Sequence, residues 1–246
     1  MNPDAMNPDD DTLAPRDLAR RSLLIGACAF AVAACGRSDE KTAGASASKV
    51  TPPPAKAAPE KVVTVLGDSI TAGFGLPAAD ALPAQLENTL KAAGQSVRVR
   101  AAGVSGDTTA GGLARVDFSV QDDTDLCIVA LGGNDLLQGI DPATMKANLQ
   151  AIIDRLKARH IPVLLAGMRA PPQYGSYAAD FDKVFKDLAK TDDVAAYPFL
   201  LDGVALDDRY NQADGIHPNA AGVKIIVAGL APVVVTALSK SPARMT

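Results

Sequence analysis

The chain has 246 residues, 48% of them hydrophobic and 21% charged, with a formal net charge of -4. Those proportions are ordinary for a globular domain, and they leave no basic stripe of the kind that nucleic-acid binding needs. Three cysteines, two of them ahead of residue 36, exclude a disulfide framework.

In chain order, Arg20-Arg21 precede an uncharged run from Leu23 to Cys35. Thirteen residues fall short of the ~20 that cross a bilayer, and they fit the apolar region of an export signal over residues 1–35. Val32-Ala33-Ala34-Cys35 resembles a bacterial lipobox. That resemblance implies lipidation at Cys35 and a lipoprotein on the periplasmic side of a bacterial membrane; an ordinary signal cut near Ala34 is the alternative. The paired arginines resemble a twin-arginine signal, although Asp4, Asp9, Asp10, Asp11 and Asp17 make the preceding stretch unusually acidic.

Residues 36–60 are rich in Ala, Ser, Lys and Pro, with Val50 as the only large aliphatic residue. Such a segment buries too little apolar surface to fold. It is expected to be a disordered tether spanning ~25–30 Å on average.

Residues 61–240 are expected to form one α/β domain, followed by a short tail at 241–246. Val62–Leu66 has the composition of a buried strand. Val97–Arg100 alternates and belongs near a sheet edge. Leu126–Leu131 is continuously apolar, as in a central parallel strand. Cys127 within it is expected to be a small buried hydrophobe. Pro162–Ala166 opens on a proline, and Val194–Tyr197 is shorter. Helices are expected over Leu82–Ala93, Pro142–Arg159 (with Asp141 as N-cap), Asp180–Lys190 and Ala220–Leu238, the last kinked or interrupted by Pro232. This alternation implies a parallel sheet with helices on both faces. Asp122, Asp123 and Asp125 have the pattern of a solvated loop.

Ligands of open parallel sheets bind beyond the carboxyl ends of the strands. The segments following the strands contain Gly67-Asp68-Ser69, Ser105-Gly106-Asp107, Gly132-Gly133-Asn134-Asp135, Arg169–Pro172 and Asp214-Gly215-Ile216-His217. Serine needs a base to attack near neutral pH. His160 precedes the fourth strand and falls on the amino edge, where it suits a helix C-terminus. His217 falls on the correct edge, and Asp214 three residues earlier can orient its imidazole. Ser69, Asp214 and His217 are therefore the candidate catalytic residues. The Ser69 and Gly106 N–H groups and the Asn134 amide are the candidate oxyanion donors. Asp68, Asp107 and Asp135 are expected to brace the loops. No G-x-S-x-G, phosphate loop, H-E-x-x-H or C-x-x-C is present, and no cofactor or metal is expected.

Four blocks in order, Gly67–Gly73, Ser105–Thr109, Gly132–Asp135 and Asp214–Pro218, resemble the SGNH (GDSL-type) hydrolase superfamily, with Ile70 where leucine is usual. Met168–Gly175 is similar to the loop after the fourth strand in the arylesterase and thioesterase I/lysophospholipase branch. The resemblance implies a flavodoxin-like three-layer α/β/α sandwich with a five-stranded parallel sheet, strand order 2-1-3-4-5. It implies a serine hydrolase cleaving small acyl esters, thioesters or lysolipids. Leu136, Pro171, Pro172 and Tyr174 become candidates for the substrate loops. A carbohydrate O-deacetylase with the same catalytic set is the second enzyme reading, and a surface-tethered binding protein with a vestigial site is the third.

Overall fold

A computed structural model of the chain describes residues 60–190 and 194–240. The expected export signal, Cys35, nearly all of the tether and the tail at 241–246 lie outside the described residues.

Five parallel strands form one sheet in the order β2-β1-β3-β4-β5. They are β1 (Lys61–Gly67), β2 (Val97–Gly103), β3 (Leu126–Ala130), β4 (Val163–Ala166) and β5 (Val194–Tyr197). Every residue of β3 and β4 is buried, as their continuous apolar runs require. The alternating β2 lies at an edge and keeps Arg98 and Ala101 exposed. Gly67, Gly103 and Ala130 stand side by side in the register, so β1, β2 and β3 end level. That alignment sets three loops beside one another.

Seven helices complete the described fold: α1 (Ser69–Ala72), α2 (Leu82–Ala92), α3 (Thr109–Ser119), α4 (Gly133–Leu137), α5 (Pro142–Ala158), α6 (Ser176–Leu188) and α7 (Ala220–Lys240). Helix α2 packs on α7, and α5 packs between α3 and α6. The sheet is thereby covered on both faces, forming the α/β sandwich expected from the alternation.

The structure refines four local expectations. Helix α7 runs unbroken through Pro232. The proline is exposed while Leu230, Ala231 and Val234 around it are buried, so packing on both sides holds the helix through the missing N–H. The Thr236 hydroxyl also donates to the Pro232 carbonyl at 2.9 Å. Asp141 sits at the cap of α5 but its carboxylate accepts no backbone N–H there; the Thr144 hydroxyl donates to it at 3.4 Å. Helix α6 opens at Ser176, one turn before Asp180. The acidic loop before β3 is not simply solvated. Asp125 is buried and accepts the Val62 N–H at 2.7 Å, satisfying a donor at the start of β1. Asp123 takes the Arg100 guanidinium at 2.7 and 2.9 Å.

Helix α3 has no counterpart in the expected elements because Gly111 and Gly112 lower its propensity by ~1 kcal/mol each. Tertiary partners hold it. The buried Asp135 carboxylate accepts the Thr109 N–H at 2.8 Å and its hydroxyl at 2.6 Å. A Cβ on Gly112 would lie 2.3 Å from Leu131 Cδ1, so glycine lets the helix approach the sheet.

Candidate active site

Strand β1 ends on Gly67, where a Cβ would come 2.1 Å from Thr71 Oγ1 and 2.9 Å from the Ala130 carbonyl. The chain turns there directly into α1. Asp68 caps that helix and accepts the Ile70 N–H at 3.0 Å. Ser69 is the first helical residue, where a backbone N–H has no acceptor within the helix.

The loop after β5 returns to the same edge. It is pinned by the Asn211–Pro218 bridge and by Gln212 N–H donating to the His217 carbonyl at 2.8 Å. Gly215 turns it with φ of 69°. Asp214 Oδ1 accepts the N–H groups of Ile216 at 2.9 Å and His217 at 3.0 Å. Its Oδ2 lies 2.6 Å from His217 Nδ1, and His217 Nε2 lies 2.8 Å from Ser69 Oγ. The His217 N–H, then the Ile216 N–H and the imidazole, hold the Asp214 carboxyl at about 2, so it is ionised above pH 4. The Phe74 ring leans on the imidazole with centroids 4.6 Å apart, and Gln212 Nε2 donates to the Phe74 carbonyl at 2.8 Å. The sequence analysis does not single out Phe74; its separation from His217 hides the contact.

The loops after β2 and β3 supply the facing wall. Gly106 sits at φ of 85° in a tight turn closed by Asp107 N–H to the Val104 carbonyl at 3.1 Å. Asn134 Nδ2 donates to the Asp107 carbonyl at 2.9 Å and lies 3.4 Å from Asp68 Oδ2. Arg115, a second residue without a sequence signal, braces the edge from α3. Its guanidinium donates to the Asp107 carboxylate at 2.6 Å, the Gly67 carbonyl at 2.8 Å and the Ala102 carbonyl at 2.9 Å. Asp68, Asp107 and Asp135 all serve as acceptors for these loops, as expected.

A cleft of about 720 Å³ runs over Ser69, Gly106, Asn134 and His217. Leu136, Pro171 and Pro172 line it, together with Phe74, Leu206 and Ile216. Tyr174 does not line it. The short turn Pro172–Tyr174 carries that ring to Tyr177, with centroids 6.4 Å apart. His160 lies at the amino ends of the strands beside Leu126 and Val163, away from the cleft. Cys127 is buried in β3, and burial pushes its thiol up to about 12. Among the described residues no group of three or more His, Cys, Asp or Glu side chains could hold a metal ion.

The GDSL-like lipase/acylhydrolase family model matches residues 65–225, and the chain belongs to that family. It is a hydrolase of carboxylic esters or thioesters. Esterase TesA of Pseudomonas aeruginosa is 39% identical over 163 residues, 65% of this chain and 81% of that protein. Thioesterase 1/protease 1/lysophospholipase L1 of Escherichia coli K12 is 37% identical over 166 residues, 67% of this chain and 78% of that protein. The crystal structure of AlinE4, an SGNH-hydrolase family esterase, is 43% identical with a TM-score of 0.62, covering 76% of this chain and 100% of that one.

Burial raises the Asp68 carboxyl from 3.8 to about 6, against the lowering effect of the Ile70 N–H. The folded state therefore favours the neutral acid. Its contribution is fully present below the unfolded value of 3.8 and is lost as pH rises through about 6. At ~1.4 kcal/mol per unit the loss is roughly 3 kcal/mol. Urea unfolding at pH 4.5 and pH 7 should show that Asp68→Asn loses less stability over this interval than the wild type, by about 2 kcal/mol, since part of the contribution is already lost by pH 4.5. Equal losses in the two proteins would place the Asp68 proton outside the stability balance.

Proposed function

We propose that Ser69 is the nucleophile of this hydrolase, with His217 as its general base and Asp214 orienting the imidazole. The unbroken line Asp214–His217–Ser69, at 2.6 and 2.8 Å, carries the proposal. Ser69 Oγ adds to the acyl carbonyl while its proton passes to His217 Nε2. Asp214 accepts from Nδ1–H, fixing the tautomer and stabilising the imidazolium that forms. The imidazolium then gives the proton to the departing alcohol or thiol as the bond to the acyl carbon breaks. Water, deprotonated by the same nitrogen, attacks the acyl-enzyme, and release of the acid restores Ser69.

The Ser69 and Gly106 N–H groups and the second Nδ2 hydrogen of Asn134 receive the oxyanion. The Asn134 bond to the Asp107 carbonyl at 2.9 Å fixes the plane of the amide, and its second hydrogen is held otherwise only by a long 3.4 Å bond to Asp68 Oδ2, which the oxyanion displaces. Backbone donors such as the Ser69 and Gly106 N–H groups need no reorganisation as charge develops. The apolar wall made by Phe74, Leu136, Pro171 and Ile216 favours monoacyl esters, thioesters or lysolipids over the acetylated sugars of a deacetylase.

The amide of Asn134 should act only when the carbonyl oxygen becomes negative. Asn134→Ala is therefore expected to fold, to lower kcat by ~10²–10³ and to leave KM nearly unchanged with a p-nitrophenyl ester. A tenfold rise in KM at constant kcat would make Asn134 a ground-state binding residue instead.

The Arg20–Cys35 pattern supports an export signal ending in a lipidated Cys35, with residues 36–60 tethering the hydrolase to a bacterial membrane on its periplasmic side. Stable anchoring takes more than one acyl chain, as a lipobox cysteine would carry. Expression in a bacterium should place the wild type in the membrane fraction with an acylated Cys35, and Cys35→Ser should release the protein unacylated. An unmodified Cys35 would overturn the anchor and leave the hydrolase assignment untouched.

A further inference from the structure

A second cavity abuts the catalytic cleft and differs from it in chemistry. It holds about 360 Å³ beside α6 and the carboxyl ends of β4 and β5, within the size range of small-molecule sites. Leu165, Phe185 and Ala196 make an apolar floor, while Arg169, Lys186 and Lys190 stand on the wall. Met168, Arg169 and Asp182 line both cavities.

Two of these cations lack an acidic partner among the described residues. The chain carries 28 acidic and 24 basic residues, and most described lysines and arginines on the surface have a carboxylate near them. Among the described residues, Arg169 and Lys186 form no ion pair; the Arg169 guanidinium lies over the Phe199 ring, 5.4 Å from its centroid. Lys190 reaches Asp187 only at 3.8 Å. Asp182 is the opposing charge on the shared wall, and its Oδ1 is engaged by the Ala170 N–H at 3.0 Å. An apolar floor under Arg169 and Lys186, which form no ion pair among the described residues, matches one kind of ligand, an apolar chain that ends in an anion.

The reaction makes such a molecule next door. We propose that this second cavity binds the carboxylate product of hydrolysis, its chain over Leu165, Phe185 and Ala196 and its carboxylate against Arg169 and Lys186. The inference rests on the ester hydrolase reading, which supplies the acid, and goes beyond it by assigning a separate product site. Binding there does not require a vacant Ser69, so the acid can bind while an acyl group occupies the cleft.

The test uses the protein after an octyl fluorophosphonate has filled the cleft and capped Ser69. Calorimetric titration with octanoate should then show one equivalent bound, and 1-octanol, with the same chain and no charge, should bind about tenfold more weakly, the equivalent of ~1.4 kcal/mol. Lys186→Glu should weaken octanoate about tenfold and leave octanol unchanged, with an unaltered melting temperature confirming the fold. Absence of octanoate binding to the capped protein, equal affinity for the acid and the alcohol, or indifference to Lys186→Glu would each overturn the site. Failure of the other reading looks different: a chain that neither takes up the phosphonate nor cleaves p-nitrophenyl octanoate would overturn the assignment of Ser69, and the titration would then be made on untreated protein.

Discussion

The Arg115 guanidinium spans the carboxyl ends of two neighbouring strands, and the geometry of the catalytic edge follows from its bonds. The Gly67 carbonyl, which also accepts the Val104 N–H at 3.0 Å, and the Ala102 carbonyl of the neighbouring strand both accept from this single side chain. The third partner, the Asp107 carboxylate, fixes the loop that carries Gly106. Asp107 extends the chain of constraint, because its carbonyl accepts the Asn134 amide from the loop after β3. One cation on α3 thus sets the spacing of Ser69, Gly106 and Asn134, and α3 in turn is anchored by the bonds from Thr109 to the buried Asp135. Arg115 and Asp107 are both largely shielded from solvent, so removing either leaves the other charge poorly solvated and destabilises the edge.

Two carboxyl groups at this edge have opposite environments. Asp214 is near solvent and is held at about 2 by two backbone N–H groups and the imidazole. Asp68 is buried with one strong backbone donor and sits at about 6. The first stays ionised beside His217, as the proposed mechanism requires. The second caps the turn that presents Ser69. Location in the fold separates the two carboxyl groups, since both residues are aspartates beside a candidate catalytic residue.

The amino-acid pattern reveals the sheet because strand composition reports depth directly. Apolar Leu126–Ala130 is central and alternating Val97–Arg100 is at the edge. Ser69, Asp214 and His217 are equally apparent, because each follows a strand and only one of two histidines falls on the carboxyl edge. Contacts made across long separations leave no such trace. Arg115 meets Gly67 across 48 residues, Phe74 meets His217 from another loop, and α3 is stabilised by Asp135 against its own glycines. Tyr174 shows the converse limit. Its position in a loop beside the cleft suggests a substrate contact, but a three-residue turn carries the ring away.

The central claim is that the acyl group is transferred to Ser69 by His217. Acid quenching of the enzyme during turnover of p-nitrophenyl acetate, followed by peptide mass spectrometry, tests it directly. An acetyl group on the peptide containing Ser69, present in the wild type and missing from Ser69→Ala and His217→Ala, is the result predicted. Acetylation at another residue, or an undiminished adduct on Ser69 in the His217→Ala protein, would contradict it.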